Sequence, residues 1–292
     1  MHDLLETIDM EILMHRDTHF GGSFDVMIEY YEQDGVGVMP DFEIDQMKKL
    51  QKIEKEMNQN LSEFYIPEAA KETVEEAKKL YEDLRGVYET GEGNALLSDL
   101  ILSEEPVPEK EIEALVEKKE KVVPALIHLL TSHTFYDPLF PGYGRSPIFA
   151  AKCLAKIQDE RAIPPLFEAL GQENFFTDEE IIFALASFGD KSKDFLIKRL
   201  KGEPFSKDNE YAAIALSGFS ETEEIGEAAL DVLEKEETLK KPLFASYLVF
   251  ACSALSKESL KERFIALSKR KDLLPSIRDE IAIVIKSWKK GH

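Results

Sequence analysis

The chain has 292 residues, 43% hydrophobic and 32% charged, enough for one elongated domain or two compact ones with a real core. Its formal net charge of −21 excludes sequence-independent nucleic-acid binding, which needs a basic footprint, and works against anionic membrane surfaces. The charge is uneven: residues 1–121 hold 13 Lys/Arg against 31 Asp/Glu (net −18), 122–292 hold 23 against 26 (net −3), and the last 36, 257–292, reach +5 with 10 against 5.

The opening stretch, MHDLLETIDMEILMHRD, is broken by acids throughout and lacks the apolar region of a secretory leader. Cys153 and Cys252 lie inside apolar helical patterns, which predicts buried free thiols in a reducing, cytoplasmic compartment. The longest apolar run, at 242–255, is too short to span a bilayer. Helical spacing then recurs in HDLLETIDMEILM, SFDVMIEYYEQ, residues 41–64 and PEAAKETVEEAKKLYEDLRGVYE. Asp34–Gly37 and Gly91–Gly93 read as loops, and Ser103–Pro108 as a rigid connector into a charged helix at 109–120. These acidic helices, residues 1–107, are expected to form an N-terminal cap, with 108–292 as a second domain.

Residues 15–24, HRDTHFGGSF, look most like site chemistry. His15 and His19 stand four apart, the spacing of a zinc-binding HExxH helix, with Asp17 or Glu11 as a further ligand. Arg16 stands where the general-base glutamate would be, and Gly21-Gly22 places His19 past the helix end. The reading preferred here is a helix C-terminus stopped by Gly21, with His15, Arg16 and His19 meeting the terminal carbonyls. A polar partner-binding turn is the other alternative. His15, Asp17 and His19 stay as metal candidates, no metal centre is expected, and no cofactor is implied. HRD also begins the kinase catalytic loop, but its companion motifs are missing.

From residue 122 a repeat begins. VVPALIHLL, AIPPLFEAL, SKDFLIKRL, IGEAALDVL and a stretch ending FIAL close on Leu130, Leu170, Leu200, Leu233 and Leu267. Three positions earlier stand Ile127, Phe167, Ile197, Leu230 and Phe264, an amphipathic stripe. Second helices alternate with these and share a small residue at Cys153, Ala184, Ala215, Ala251 and Ala282, spaced 31, 31, 36 and 31 residues apart. A small side chain at a fixed place lets stacked helices approach closely. Pro124, Pro164 and Pro165 fall in first turns, Thr177-Asp178 and Asp208-Asn209 read as N-caps, and Gly189 and Gly202 as helix ends.

The units resemble HEAT repeats, in the short form of phycobilisome-lyase-like proteins, over about 120–288. The resemblance implies an all-α, right-handed α-α superhelix of about five helix pairs, here with an acidic helical N-terminal cap that closes its open end. It implies little about activity. HEAT-like deoxyhypusine hydroxylases hold a di-iron site through His-Glu dipeptides, and none of the six histidines here precedes Glu. HEAT-like DNA glycosylases need a basic channel.

The insert SHTFYDPLFPGYGRSP, 132–147, adds about ten residues between the helices of the first repeat. Its Tyr136, Tyr143 and Arg145 are hot-spot residue types, while Phe135 and Phe140 are expected to cover a junction. Four positions before each small residue stand Phe149, Glu180, Tyr211, Tyr247 and Arg278, a row on the solenoid's concave side. The expected function is a non-enzymatic scaffold or adaptor that binds a basic protein through Tyr136, Tyr143, Arg145, Glu180, Tyr211 and Tyr247, with no nucleic acid, no membrane and the oligomeric state open. The alternative is a HEAT-type enzyme, or a lyase- or chaperone-like protein, with a metal near His15 and His19.

Overall fold

The computed structural model describes residues 6–90, 95–172, 175–219, 222–271 and 273–290. The loop expected at Gly91–Gly93 lies outside them. All regular structure among the described residues is helical, eighteen α-helices and four 3-10 turns, with no strand. The chain divides into two compact units, residues 1–153 and 154–292.

Unit 1 opens with α1 (Thr7–His19), α2 (Phe24–Glu32), α3 (Ile44–Met57), α4 (Leu61–Tyr65) and α5 (Glu68–Thr90). Helix α1 stops because Gly21 and Gly22 take left-handed φ of +57° and +78°. This lets the N–H groups of Phe20 and Gly22 both donate to the Arg16 carbonyl, at 3.0 and 3.2 Å. His19 is thus the last residue of the helix rather than the first beyond it. Ser23 caps α2 by accepting from the Val26 N–H. The helical stretch expected at 41–64 is two helices: Asn58 turns left-handed at φ +53° and ends α3, and Asn60 accepts from the Ser62 N–H to start α4. Ile12 and Leu13 of α1, Met27 and Tyr31 of α2, Leu50 of α3 and Leu61 of α4 form the core. Each such side chain contributes about 1.5–3 kcal/mol by leaving water.

The unit continues through α6 (Ala95–Ile101), α7 (Glu109–Val116), α8 (Val123–Thr131) and, after the insert, α9 (Ser146–Ile157), which runs across the unit boundary. Helix α6 packs on α7, so the 107/108 step lies inside this unit. In the insert Phe135 is buried, and Leu139 and Phe140 pack against Val74 and Ala77 of α5.

Unit 2 holds α10 (Ile163–Glu168), α11 (Phe175–Ser187), α12 (Asp190–Leu200), α13 (Lys207–Leu216), α14 (Glu223–Leu233), a short α15 (Glu236–Leu239), α16 (Pro242–Ala251), α17 (Glu258–Leu267) and α18 (Pro275–Lys290). First helices pair with second helices as α10–α11, α12–α13, α14–α16 and α17–α18. The second helices α11, α13, α16 and α18 touch in succession and form one layer; α12, α14 and α17 do the same in the other. This two-layer stack of helix pairs is the arrangement of an α-solenoid.

The leucine column is buried in every repeat, at Leu130, Leu170, Leu200, Leu233 and Leu267. Ile127 and Ile197 are half-buried, and Leu126 and Leu196, four positions before the leucine, fill the core instead. The small-residue column is buried at Cys153, Ala184 and Ala215, then drifts. In α16 Ala251 is half-buried, while the next residue, Cys252, is fully buried, as Leu154, Leu185 and Leu216 are in the earlier repeats. In α18 Ala282 is exposed while Ile281 and Val284 are buried. At the α14–α16 junction the close approach is made by Gly226 of α14: a Cβ there would lie 3.2 Å from the Ala251 carbonyl oxygen. Two caps also differ. Helix α13 is capped by Ser206 in a capping box with Asn209, and α11 already runs from Phe175, so Thr177 lies within it.

Candidate functional site

The last turn of α1 turns inward. His15 and His19 share a face, with ring centroids 4.3 Å apart. They do not meet the terminal carbonyls, because burying aromatic rings between α1, α2 and the insert outweighs weak helix-end contacts. His19 Nε2 lies 3.0 Å from the Pro138 carbonyl oxygen, which only accepts, so Nε2 carries the proton and Nδ1 accepts from the Tyr81 hydroxyl at 2.8 Å. His15 sits among Phe20, Tyr31 and Phe42, and its Nε2 has no hydrogen-bond partner. Burial lowers the His15 pKa to about 4, against a backbone contact with Gly37. Burial and then the neighbouring His15 lower His19 to about 3. Both rings are neutral at pH 7. Asp17 is committed to Arg16, at 2.7 Å. Among the described residues no group of three or more His, Cys, Asp or Glu could hold a metal ion.

Beside this pair lies a cleft of about 640 Å³. Its walls are His19 of α1 and Phe20 just beyond it, Tyr30 of α2, Tyr81 of α5 and Tyr143 of the insert, with Glu104 at one side. The Tyr30 and Tyr143 hydroxyls donate to the two oxygens of Glu104, at 2.9 and 3.2 Å. Burial raises the pKa of Tyr81 and Tyr143, so all three phenols keep their protons. Tyr143 stands in a left-handed run, φ +87°, +54° and +73° for Gly142, Tyr143 and Gly144. A non-glycine residue held there costs on the order of 1–3 kcal/mol and persists only when its surroundings dictate it. The ring covers Gly37, where a Cβ would come within 2.4 Å of it. Arg145 braces the insert by donating to the carbonyls of Ser103 and Glu105, and burial lowers its pKa. Tyr136 donates to the Leu130 carbonyl. Of the residues expected to bind a partner, Tyr143 lines this cleft, while Tyr136 and Arg145 fix the loop that presents it.

In unit 2, Glu180, Tyr211 and Tyr247 are half-buried. The Tyr211 phenol lies over Gly171, and Tyr247 lines a 140 Å³ groove with Leu216 and Phe250. The outward row is a different one: Phe183, Phe250 and Ile283 are 66%, 48% and 58% exposed, with the half-buried Ile214 between the first two in sequence. One turn earlier stand Glu179, Glu210, Ser246 and Asp279. One turn later stand Ser187, Ser217, Ser253 and Ser287, each donating back to a carbonyl in its own helix. The sequence reading missed this row, although a large apolar residue at repeat spacing was its signal. It also missed Tyr30, Tyr81 and Glu104, for which the chain offers no local signal.

No curated protein matches this chain. Residues 148–172, from α9 through α10, match the family model of the PBS lyase HEAT-like repeat, and this stretch of the chain is a HEAT-like repeat.

Proposed function

We propose that this chain is a non-enzymatic interaction protein that holds a partner protein on the outward face of α11, α13, α16 and α18. The observation that carries this is the row Phe183, Phe250 and Ile283, large apolar side chains left open to water on three of the four second helices, α11, α16 and α18. Contiguous exposed apolar rows on a soluble chain mark interaction surfaces, and stacked repeats supply long ones. The acids one turn away, Glu179 and Asp279, favour a partner with basic residues, in keeping with the net charge of −21. Glu180, Tyr211 and Tyr247 support that row from between the helices. Cys153 and Cys252, both buried and not joined in a disulfide, suit a reducing, cytoplasmic setting.

The test is quantitative capture from an extract by the intact chain and by a Phe183→Ser, Phe250→Ser double variant, with circular dichroism confirming unchanged helicity. Partners held by the row should fall by about 30-fold or more, the loss of a hot spot worth about 2 kcal/mol or more. Equal capture of every partner by both proteins refutes the reading.

A further inference from the structure

We infer that the cleft of unit 1 is a binding site for one alkylammonium or guanidinium group, with Glu104 as its counter-ion and Tyr30, Tyr81 and Tyr143 as its walls. The argument is a proton inventory. His19 donates to Pro138, Tyr81 to His19, Tyr30 and Tyr143 to Glu104, Arg145 to two carbonyls, and Lys78 to Glu75. Facing the cleft are the remaining lone pairs of Glu104, the carboxylate of Glu82 and the phenol oxygens, alongside Arg85 and Lys78, the latter paired with Glu75. The lone pairs held by Glu104 and the phenols suit a donor-rich ligand.

Three further observations agree. Thr18 lines the cleft, is nine-tenths buried, and its Oγ1 has no hydrogen-bond partner, which leaves an acceptor for an ammonium proton. The walls are aromatic faces, which attract cations through the ring quadrupole. The chain already uses one of them this way, since the Arg85 guanidinium carbon lies 5.7 Å from the Tyr81 ring centroid at the rim. Glu104 is also held rigidly: two phenols fix its oxygens, so little side-chain freedom is lost when a cation arrives. The site is separate from the second-helix face, so its failure leaves the proposed function standing.

Titration calorimetry of the full chain tests this with three probes: Nα-acetyl-arginine amide, its neutral isostere Nα-acetyl-citrulline amide, and Nα-acetyl-glutamate amide. The arginine probe should bind at least tenfold tighter than either of the others, and Glu104→Gln should weaken it by at least tenfold. That exposed carboxamide keeps one oxygen to accept from one phenol and offers its NH2 to the oxygen of the other, so the fold is kept. Tyr143→Phe, which keeps the ring and loses one hydroxyl, should weaken binding less than Glu104→Gln. Equal binding of arginine and citrulline probes, no binding at 10 mM, or an unchanged affinity in Glu104→Gln overturns the assignment. Two sources of the cation are separated by a second comparison. A single-arginine peptide that binds tighter than both the amide and spermidine identifies a protein side chain, whereas spermidine binding tightest identifies a free polyamine; either result supports the site.

Discussion

Arg16 is wholly buried, and its guanidinium serves Asp17, Glu54, Asn60 and Ser62 at 2.7–3.0 Å while lying 4.5 Å over the Phe24 ring. It ties α1 to α3 and α4 from inside. Replacing it with Met leaves Asp17 and Glu54, only 14% and 21% exposed, without their cation. Urea denaturation should show a loss of about 3–5 kcal/mol. Lys should recover little of it, because a point charge does not match a fork that reaches four acceptors. Beside it, the two histidines make unit 1 acid-labile. The unfolded chain takes up protons on them near pH 6.5, whereas the folded chain refuses them until about pH 4 and about pH 3. Between those limits the unfolded state holds more protons, so stability is complete above pH 6.5 and falls as the pH drops below it. The slope is about 1.4 kcal/mol per pH unit for each histidine. His15→Phe removes one of the two and also the unpartnered Nε2. Urea midpoints at pH 7.5 and pH 5 should therefore lie closer together in the variant. An unchanged spacing of the midpoints refutes the neutral buried ring.

At the scale of helices, the sequence displayed what is local and repeated. Each helix from α8 to α18 that carries a repeat lies where its apolar stripe places it, because a 3.6-residue period is written in adjacent residues. The small-residue column was legible as far as α13: Ala251 is only half-buried at the end of α16, and in α18 Ala282 is exposed beside the buried Ile281. Neither change has a marker in composition. Replacing Ala215 with Leu should overpack the α13 junction and cost about 1–3 kcal/mol. Ala282→Leu in the same column is the control, since that side chain is exposed and should change stability by less than about 0.5 kcal/mol. Equal melting temperatures for the two variants would return the column to the register its spacing suggests. The cleft was legible in part. The insert announced itself by its aromatics and glycines, and His15 and His19 by their spacing. Tyr30, Tyr81, Glu104 and Tyr143 meet only through tertiary packing, across separations of 62 residues from His19 to Tyr81 and 74 from Tyr30 to Glu104.

Across the whole molecule, charge divides along the same line as the fold. Residues 1–153 hold 15 Lys/Arg against 32 Asp/Glu, a net of −17, and residues 154–292 hold 21 against 25, a net of −4. The second unit is nearly neutral because its cations answer acids one repeat away. Lys191 meets Glu160, Lys193 meets Glu224, Lys201 meets Asp231, Lys235 meets Glu203, and Arg263 reaches both Asp231 and Glu234. Most of these pairs are exposed and contribute about 0.2–1 kcal/mol each, so they set helix register more than they hold the stack together. The first unit has far fewer cations to offset its acids, and its like charges repel through solvent. Salt therefore acts on the two units with opposite sign. Between about 20 mM and 500 mM sodium chloride the screening length falls from roughly 20 Å to a few ångströms. This relieves the repulsion among residues 1–153 and weakens the ladder among 154–292. Hydrogen exchange followed segment by segment should show slower opening of α1–α5 at high salt, and equal or slightly faster opening of α12–α17. Faster opening of α1–α5 at high salt would mean that local ion pairs, rather than net repulsion, govern the acidic unit.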